Sequence, residues 1–305
     1  MKILITGSSG QLGKAILNKF PKNFTLFTPK REYLNLSDET SCRMIIREIN
    51  PDLVINCGAY TLVDKAEENK EYAFAINARA PKIFAEELSK TRGKLLQIST
   101  DFVFDGNQNF PYKTSQKRCA TGVYGESKAK GEEYIEKILG GQKKAMIIRT
   151  SWLMGGASNN FAINMLNLHS KKKSINVVSD QIGCPTSPFS LAIACLKSIE
   201  NWENIYKKNL TNIPILHWSD KGVASWYDIS VAIGELGEEL KMIKNSAIVN
   251  PISSDNYPSK VNRPKYSLLD CNSTREILKL ETTHWRESLR DSFLESKIFI
   301  KNHLI

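Results

Sequence analysis

From Leu96 the chain reads L-Q-I-S-T-D-F-V-F, and from Val123 it reads V-Y-G-E-S-K-A-K-G-E-E-Y. The first run puts two hydroxyls, Ser99 and Thr100, at the end of an apolar strand. The second puts Tyr124 and Lys128 four residues apart at the start of a helix. Residues four apart share a helix face, so the Lys128 ammonium is expected beside the Tyr124 phenol, favouring its ionised form. That is a proton donor of tuned acidity, the group that general acid chemistry needs. Of ten tyrosines only Tyr124 has lysine at the fourth position on, and about one such match is expected by chance. The pair therefore draws its meaning from its setting: downstream of a glycine-rich turn, after a strand ending in Ser-Thr-Asp, and at the head of a helix.

The elements that must position these groups can be read in order. Residues 2–6, K-I-L-I-T, form an apolar run without polar alternation, as a strand covered on both faces requires. It runs into G-S-S-G-Q-L-G and the amphipathic A-I-L-N-K-F. Strand, glycine turn and helix is the geometry in which free N–H groups and the helix dipole accept a pyrophosphate, which makes Gly7, Gly10 and Gly13 candidate cofactor residues. The next strand, near residues 24–28, ends in Pro29-Lys30-Arg31. Basic residues at this tip suit a 2′-phosphate, so NADPH is expected, with NADH the alternative. A helix is expected over 39–49, then the buried strand P-D-L-V-I-N, whose small successors Cys57, Gly58 and Ala59 let a cofactor approach the backbone. Helices over 63–75 and 77–90, a strand over 94–99, a polar loop over 104–123, a helix over 124–139 and a strand over 145–149 follow. This alternation implies a parallel, doubly wound sheet. Further on, helices are expected over 159–170 and 187–200, a short strand and turn in V-V-S-D-Q-I-G-C-P-T, and a late strand at 213–218. Residues 225–236, the segment R-P-K-Y-S-L-L-D, 273–278 and 285–296 should supply helices of a smaller lobe.

Composition narrows the class. At 305 residues with 41% hydrophobic and 24% charged residues, the chain is of ordinary globular make-up, large enough for one big domain or two lobes. No apolar run reaches membrane-span length, and Ile3 to Ile5 is cut off by Thr6 and Gly7, so a cytoplasmic protein without membrane contact is expected. Six scattered cysteines without C-x-x-C, and four histidines, read as reduced thiols with no metal site. The net charge of +10 sits in short lysine groups without interleaved aromatics, so nucleic acid is not an expected partner.

These residues resemble the extended short-chain dehydrogenase/reductases, and within them the dTDP-4-dehydrorhamnose reductase family. The resemblance covers nearly the whole chain. Its superfamily-wide parts are I-T-G-S-S-G-Q-L-G and the Tyr-Lys motif; its narrower parts are T-L-V-D-K-A-E, S-T-D-F-V-F and D-Q-I-G-C-P-T, joined by I-R-T-S-W, N-N-F, R-P-K-Y-S-L-L-D and W-R-E-S-L-R-D-S. It implies an α/β Rossmann-type sheet with a smaller, mostly helical C-terminal lobe that binds substrate. Residues 1–152 would form the dinucleotide domain, with segments near 176–218 returning to it, and 153–305 mainly the second lobe.

The same resemblance implies hydride transfer from the nicotinamide to the 4-keto carbon of a dTDP-linked 6-deoxy sugar. Tyr124 would protonate the nascent alkoxide, Lys128 would hold the nicotinamide ribose and keep the phenol acidic, and Thr100 would bond the keto oxygen. Gln11, Leu12, Asn35, Leu36 and Asn77 join the expected cofactor contacts. Thr61, Val63, Asp101, Trp152 and Asn160 are the expected substrate contacts, with Arg263 on the diphosphate because a guanidinium binds phosphate bidentately. Trp152 and Trp226 read equally as core packing, and Asp64 and Glu67 as partners of Lys65 or a helix end.

Two positions depart from the pattern. Where some members carry glutamates that bind magnesium at a dimer interface, this chain has Ala15 and Phe189, so no metal is expected and monomer and homodimer both stay open. Asn35 stands where many relatives have aspartate. A reductase of another nucleotide-linked keto-deoxy sugar, and a non-catalytic dinucleotide-binding subunit of the same fold, are the rival readings.

Overall fold

The computed structural model describes residues 1–21, 24–155, 160–208, 212–258, 261 and 263–295. Strand β1 (Lys2–Thr6) is fully buried from Ile3 onward, and it leads into helix α1 (Gln11–Lys19). Strand β2 (Thr25–Phe27) is followed by helix α2 (Glu39–Ile49), which Asp38 caps by accepting the Thr40 amide at 3.0 Å and Asn50 ends at φ 45°. Strand β3 (Leu53–Asn56) leads to helices α3 (Val63–Glu68) and α4 (Lys70–Phe74).

The expected helix over 63–75 is thus broken at Asn69, and the next one does not start at Asn77. A π-turn over Ala75–Arg79 joins α4 to helix α5 (Ala80–Ser89). Pro81 has no N–H to return to the Asn77 carbonyl, so the regular ladder must break there. Strand β4 (Lys94–Thr100), helix α6 (Val123–Leu139) and strand β5 (Ala145–Thr150) follow. A Cβ on Gly131 of α6 would lie 2.3 Å from the Asn77 carbonyl oxygen, so glycine is what lets α6 seat against the π-turn.

The second half contributes α7 (Phe161–Lys171), β6 (Ser174–Val178), β7 (Ile182–Gly183), α8 (Pro188–Glu200), α9 (Trp202–Lys208) and β8 (Ile215–Trp218). It continues with β9 (Ala224–Ser225), α10 (Trp226–Glu239), β10 (Ile248–Ile252), α11 (Asn272–Leu278) and α12 (Trp285–Glu295). Asn159 and Ser296, at the ends of two expected helices, lie outside the described residues. No described helix is long and apolar enough to cross a membrane.

Six parallel strands form the main sheet in the order β2-β1-β3-β4-β5-β8. Alternate residues of each strand feed two cores. Ile3, Ile5, Ile55 and Ile148 face α1, α8 and α9, while Leu4, Val54, Leu95 and Ile147 face α2, α5 and α6. A third core gathers Met154, Leu166, Val177, Ile233, Trp285 and Phe293 from α7, β6, α10, α12 and the segment after β5. The order of strands reverses between β1 and β3, and in such sheets ligands bind outside the carboxyl ends of the strands at that reversal.

Several second-half expectations need correction. β6 does not return to the main sheet; it pairs in parallel with β10, a strand whose partly exposed I-V-N-P-I gave no alternation to read. R-P-K-Y-S-L-L-D is not helical. Pro264 disfavours helix at its start, and the segment bridges Ile182 through Tyr266 and Tyr112 through Leu269. α11 belongs with the main sheet, since Leu278 lies in the core beside α8.

Candidate active site

At the carboxyl ends of β1, β3 and β4 a chain of hydrogen bonds fixes the floor of the site. The Gly58 amide donates to Thr6 Oγ1 at 3.0 Å, Thr6 to Asn56 Oδ1 at 2.5 Å, Asn56 Nδ2 to Gln97 Oε1 at 2.8 Å, and Gln97 Nε2 to the Ile98 carbonyl at 2.7 Å. Thr6, Asn56 and Gln97 are buried polar side chains on adjacent strands that satisfy one another.

The turn above this floor admits only glycine where the chain runs tightest. Gly7 has φ +62°, and a Cβ there would sit 2.7 Å from the backbone of Gly58; one on Gly13 would sit 2.3 Å from the Gly7 carbonyl oxygen. Helix α1 starts without a side-chain cap at Gly10, and its first helical hydrogen bond is Lys14 N to Gly10 O at 3.0 Å. The amides of Gln11, Leu12 and Gly13 are therefore left for a ligand, and with the helix dipole they favour an anion. A backbone cradle this close, with bare amides at its mouth, fits a dinucleotide pyrophosphate.

Two cavities meet at this cradle and share Gly7, Gly58, Ala59 and Thr61. One, of about 450 Å³, extends to Lys30, Arg31, Asn35, Leu36 and Tyr72. The Arg31 guanidinium donates to the Tyr72 hydroxyl, and Tyr72 meets Tyr60 edge to face at 5.5 Å. The other, of about 610 Å³, holds the chemistry: Thr100, Asp101, Tyr124, Lys128, Trp152 and Arg263 line it.

Thr100 donates to Asp101 Oδ1 at 2.9 Å and accepts the Phe102 amide at 3.2 Å, which fixes its hydroxyl at the end of β4. It also lies near the Tyr124 phenol. Burial pushes that phenol up to about 12, with the nearby Thr100 hydroxyl opposing and the Asp101 charge adding, so Tyr124 carries its proton at neutral pH. Burial likewise raises Asp101 to about 6, against the Thr100 bond. Asp101 Oδ2 and Ser267 Oγ each lack a hydrogen bond at normal length, though Ser267 lies near enough to hold the carboxyl down.

The expected role of Lys128 as the group that acidifies the phenol is not what this arrangement gives. Its Nζ donates to the Ile98 carbonyl at 2.6 Å, and burial pulls it down to about 8, with Glu132 the first charge to oppose the fall. The face shared by residues four apart is real, but desolvation outweighs any pull of one group on the other.

Trp152 closes the far wall. It has φ +43°, a left-handed conformation that a bulky side chain rarely adopts, and its ring stacks on Trp226 at 3.9 Å and 12°. The narrow motif D-Q-I-G-C-P-T builds this wall, and none of its residues lines the cavity that holds Thr100, Tyr124 and Lys128. Gln181 Oε1 accepts Trp226 Nε1 at 3.1 Å, and Thr186 Oγ1 donates to the Ser151 carbonyl at 2.6 Å. The pattern signalled importance; the contacts could not be read from it.

The sequence profile of the RmlD substrate binding domain matches residues 1–298. The chain belongs to the RmlD substrate-binding-domain family. It is 33% identical to the spore coat polysaccharide biosynthesis protein SpsK of Bacillus subtilis, over 96% of this chain and 97% of that one. It is 31% identical to a dTDP-4-dehydrorhamnose reductase of Aggregatibacter actinomycetemcomitans, over 95% and 97%. Among solved structures, a dTDP-4-dehydrorhamnose reductase from Clostridium acetobutylicum superposes with TM-score 0.87 at 34% identity, covering 97% of this chain and 100% of its own. One from Bacillus anthracis, in complex with NADP, gives 0.86 at 30%, covering 96% and 99%.

In this RmlD-family chain the expected site residues fall into two groups. Gly7, Gly10, Gln11, Leu12, Gly13, Cys57, Gly58, Ala59, Thr61 and Val63 line the cavities with Thr100, Tyr124, Lys128, Trp152, Arg263 and the basic tip. Asn77 and Asn160 do not. Asn77 braces the wall, donating from Nδ2 to the Tyr60 carbonyl and Ser127 Oγ, each at 3.0 Å, while its Oδ1 accepts the Tyr60 amide at 2.9 Å. Asn160 caps α7 through the Ala162 amide at 2.9 Å and reaches the site through Gln11 Oε1, at 3.0 Å. Asp64 and Glu67, set aside as local partners, bind across the site instead. Arg263 Nη2 donates to Asp64 Oδ2 at 2.6 Å, and the Val123 amide donates to Glu67 Oε1 at 2.9 Å.

Proposed function

We propose that this chain reduces the 4-keto group of a dTDP-4-keto-6-deoxy-L-sugar with NADPH, turning dTDP-4-dehydro-L-rhamnose into dTDP-L-rhamnose. The observation that carries this reading is the convergence of Thr100, Tyr124 and Lys128 on one cavity that runs on into the basic pocket at Lys30 and Arg31.

NADPH, when bound, supplies the hydride to the keto carbon. The amides of Gln11, Leu12 and Gly13 would hold its pyrophosphate, Lys30 and Arg31 its 2′-phosphate, and Lys128 the nicotinamide ribose. Tyr124, held protonated by burial, is the group that gives its proton to the substrate oxygen as negative charge develops there. The Thr100 hydroxyl lines the same cavity and would turn its proton from Asp101 to that oxygen. Trp152 and Trp226 offer a flat wall to the sugar, and Arg263 a guanidinium to the diphosphate. The names of the relatives and the NADP in the Bacillus anthracis structure support the assignment.

A second reading keeps this chemistry and changes the sugar. A relative from Streptomyces antibioticus, 30% identical over 96% of this chain and 95% of its own, is named "Probable dTDP-4,6-dihydroxy-2-methyloxan-3-one 4-ketoreductase". Fold and catalytic residues alone do not separate such sugars. We place the chain in the cytoplasm, as a monomer or homodimer. Ala15 and Phe189 pack in one core between α1 and α8 and carry no metal-ligating atom.

The test follows NADPH oxidation by the purified full chain with the dTDP-4-keto-6-deoxy sugar formed in place. Turnover that falls at least ~100-fold in Tyr124→Phe, with NADPH affinity kept, is the expected result. No turnover with this sugar, beside tight NADPH binding, overturns the assignment in favour of another nucleotide sugar or of a non-catalytic subunit.

A further inference from the structure

Behind the catalytic helix lies a buried charged cluster that the proposed reaction does not use. Ser99, Arg149 and His217 are direct neighbours across β4, β5 and β8, all three buried between the sheet and α6. Arg149 grips Glu132 of α6 with Nε at 3.0 Å from Oε1 and Nη2 at 2.6 Å from Oε2, and neither side chain is more than 1% exposed. Arg118, from the polar loop before α6, reaches the same carboxylate at 3.1 Å and Glu136 at 2.7 Å. The Arg149 guanidinium lies 5.1 Å over the Phe104 ring. A buried pair of this kind is often replaced by apolar residues of similar volume without loss of stability, so holding α6 to β5 does not by itself call for charge.

What does call for charge lies one turn away. Glu132 follows Lys128 by four residues on α6, both are buried, and residues at that spacing share a helix face. Lys128 Nζ has one hydrogen bond, to the Ile98 carbonyl, which is neutral. We propose that Glu132 is a positioning residue for Lys128, its carboxylate holding the buried ammonium charged at the back of the cavity while Arg149 and Arg118 fix the carboxylate. The proposal rests on reading Lys128 as the cofactor-holding lysine.

The other groups around Lys128 do not supply that balance. Cys57, beyond β3, is a thiol that burial pushes up to about 12, so it is neutral. Tyr124 on α6 is protonated, and Asp101 beyond β4 acts on the phenol. His217 on β8 is neutral because burial pulls it down to about 3, and Arg149 and Arg118 are cations. Burial alone pulls Lys128 towards its neutral form, and Glu132 is the first contribution against it. Removing the carboxylate leaves the Arg149 guanidinium without its bidentate partner and Lys128 without the nearest opposing charge on its helix face.

Competitive acetylation of the full chain, read at Lys128 by mass spectrometry across a pH series, measures this directly and needs no substrate. It therefore stands apart from the success of the reductase assignment. In Glu132→Gln the pH of half-reaction of Lys128 should drop by about one unit, and the alkaline limb of NADPH affinity, followed by fluorescence, should drop with it. Glu132→Gln combined with Arg149→Met removes both charges and should restore most of the shift, in a protein whose melting temperature reports that it folds. An unshifted half-reaction pH in folded Glu132→Gln overturns the proposal. So does a loss of NADPH affinity equal at every pH, which marks a purely structural role.

Discussion

Glu67 Oε1 accepts the Val123 amide at 2.9 Å, so a carboxylate from α3 caps the helix whose second residue is Tyr124. Gly122, the residue in the capping position, brings no side chain of its own, and a Cβ there would lie 3.1 Å from that same oxygen. The first turn of α6 thus takes its position from outside the helix. Loss of such a cap costs about 1 kcal/mol, and here the loosened turn carries Tyr124, the proposed proton donor. Glu67→Ala should lower kcat about tenfold with NADPH affinity kept, and Glu67→Gln, whose amide oxygen still accepts, should restore most of it. Equal kcat in the two variants would detach Glu67 from the site.

Acid should act on the protein through His217. Its Nδ1 lies 3.0 Å from the Tyr112 carbonyl and its ring is fully buried beside Arg149, so burial first and the Arg149 charge second pull it down to about 3. The unfolded chain binds this proton near the ordinary histidine value of about 6.5, and the folded chain does not until about 3. Between those values the unfolded state holds more protons, so stability present above about pH 6.5 is lost as pH falls. His217→Asn keeps a donor for the Tyr112 carbonyl and removes the titration. Its urea midpoint should fall less steeply than wild type from pH 6.5 downward; parallel pH profiles would show that other groups set the acid limb.

Much of the fold was legible because period and punctuation agreed. The uninterrupted apolar run of β1, the Asp38 cap and left-handed Asn50 around α2, and the glycine turn all act within a few residues. The pairing of Tyr124 with Lys128 was legible for the same reason: the two are neighbours on one helix. What was missed acts over distance. Arg263 meets Asp64 across 199 positions, and Glu67 meets Val123 across 56. The Pro81 that forces the π-turn was visible, but its consequence for Asn77 depends on α6 packing against it. The direction of the Tyr124 shift was misread because burial, a property of the whole fold, outweighs a lysine one turn away.

Gly183 is the position where the substrate wall is most open to test. It lies in β7, and a Cβ there would stand 2.7 Å from the Trp152 ring and 2.8 Å from Ser267 Oγ. The ring has little room to yield, because Trp226 stacks on its other face and Gln181 anchors Trp226. Gly183→Ala should therefore destabilise the chain by about 1–3 kcal/mol, seen as a lower melting temperature. It should raise KM for the nucleotide sugar while leaving NADPH affinity unchanged, since the cofactor cradle at Gly7 and Gly58 is built from β1 and β3. Trimming the ring as well, with Gly183→Ala and Trp152→Leu together, should return the melting temperature but not the KM. A KM restored along with stability would mean that Trp152 packs the wall without touching the sugar.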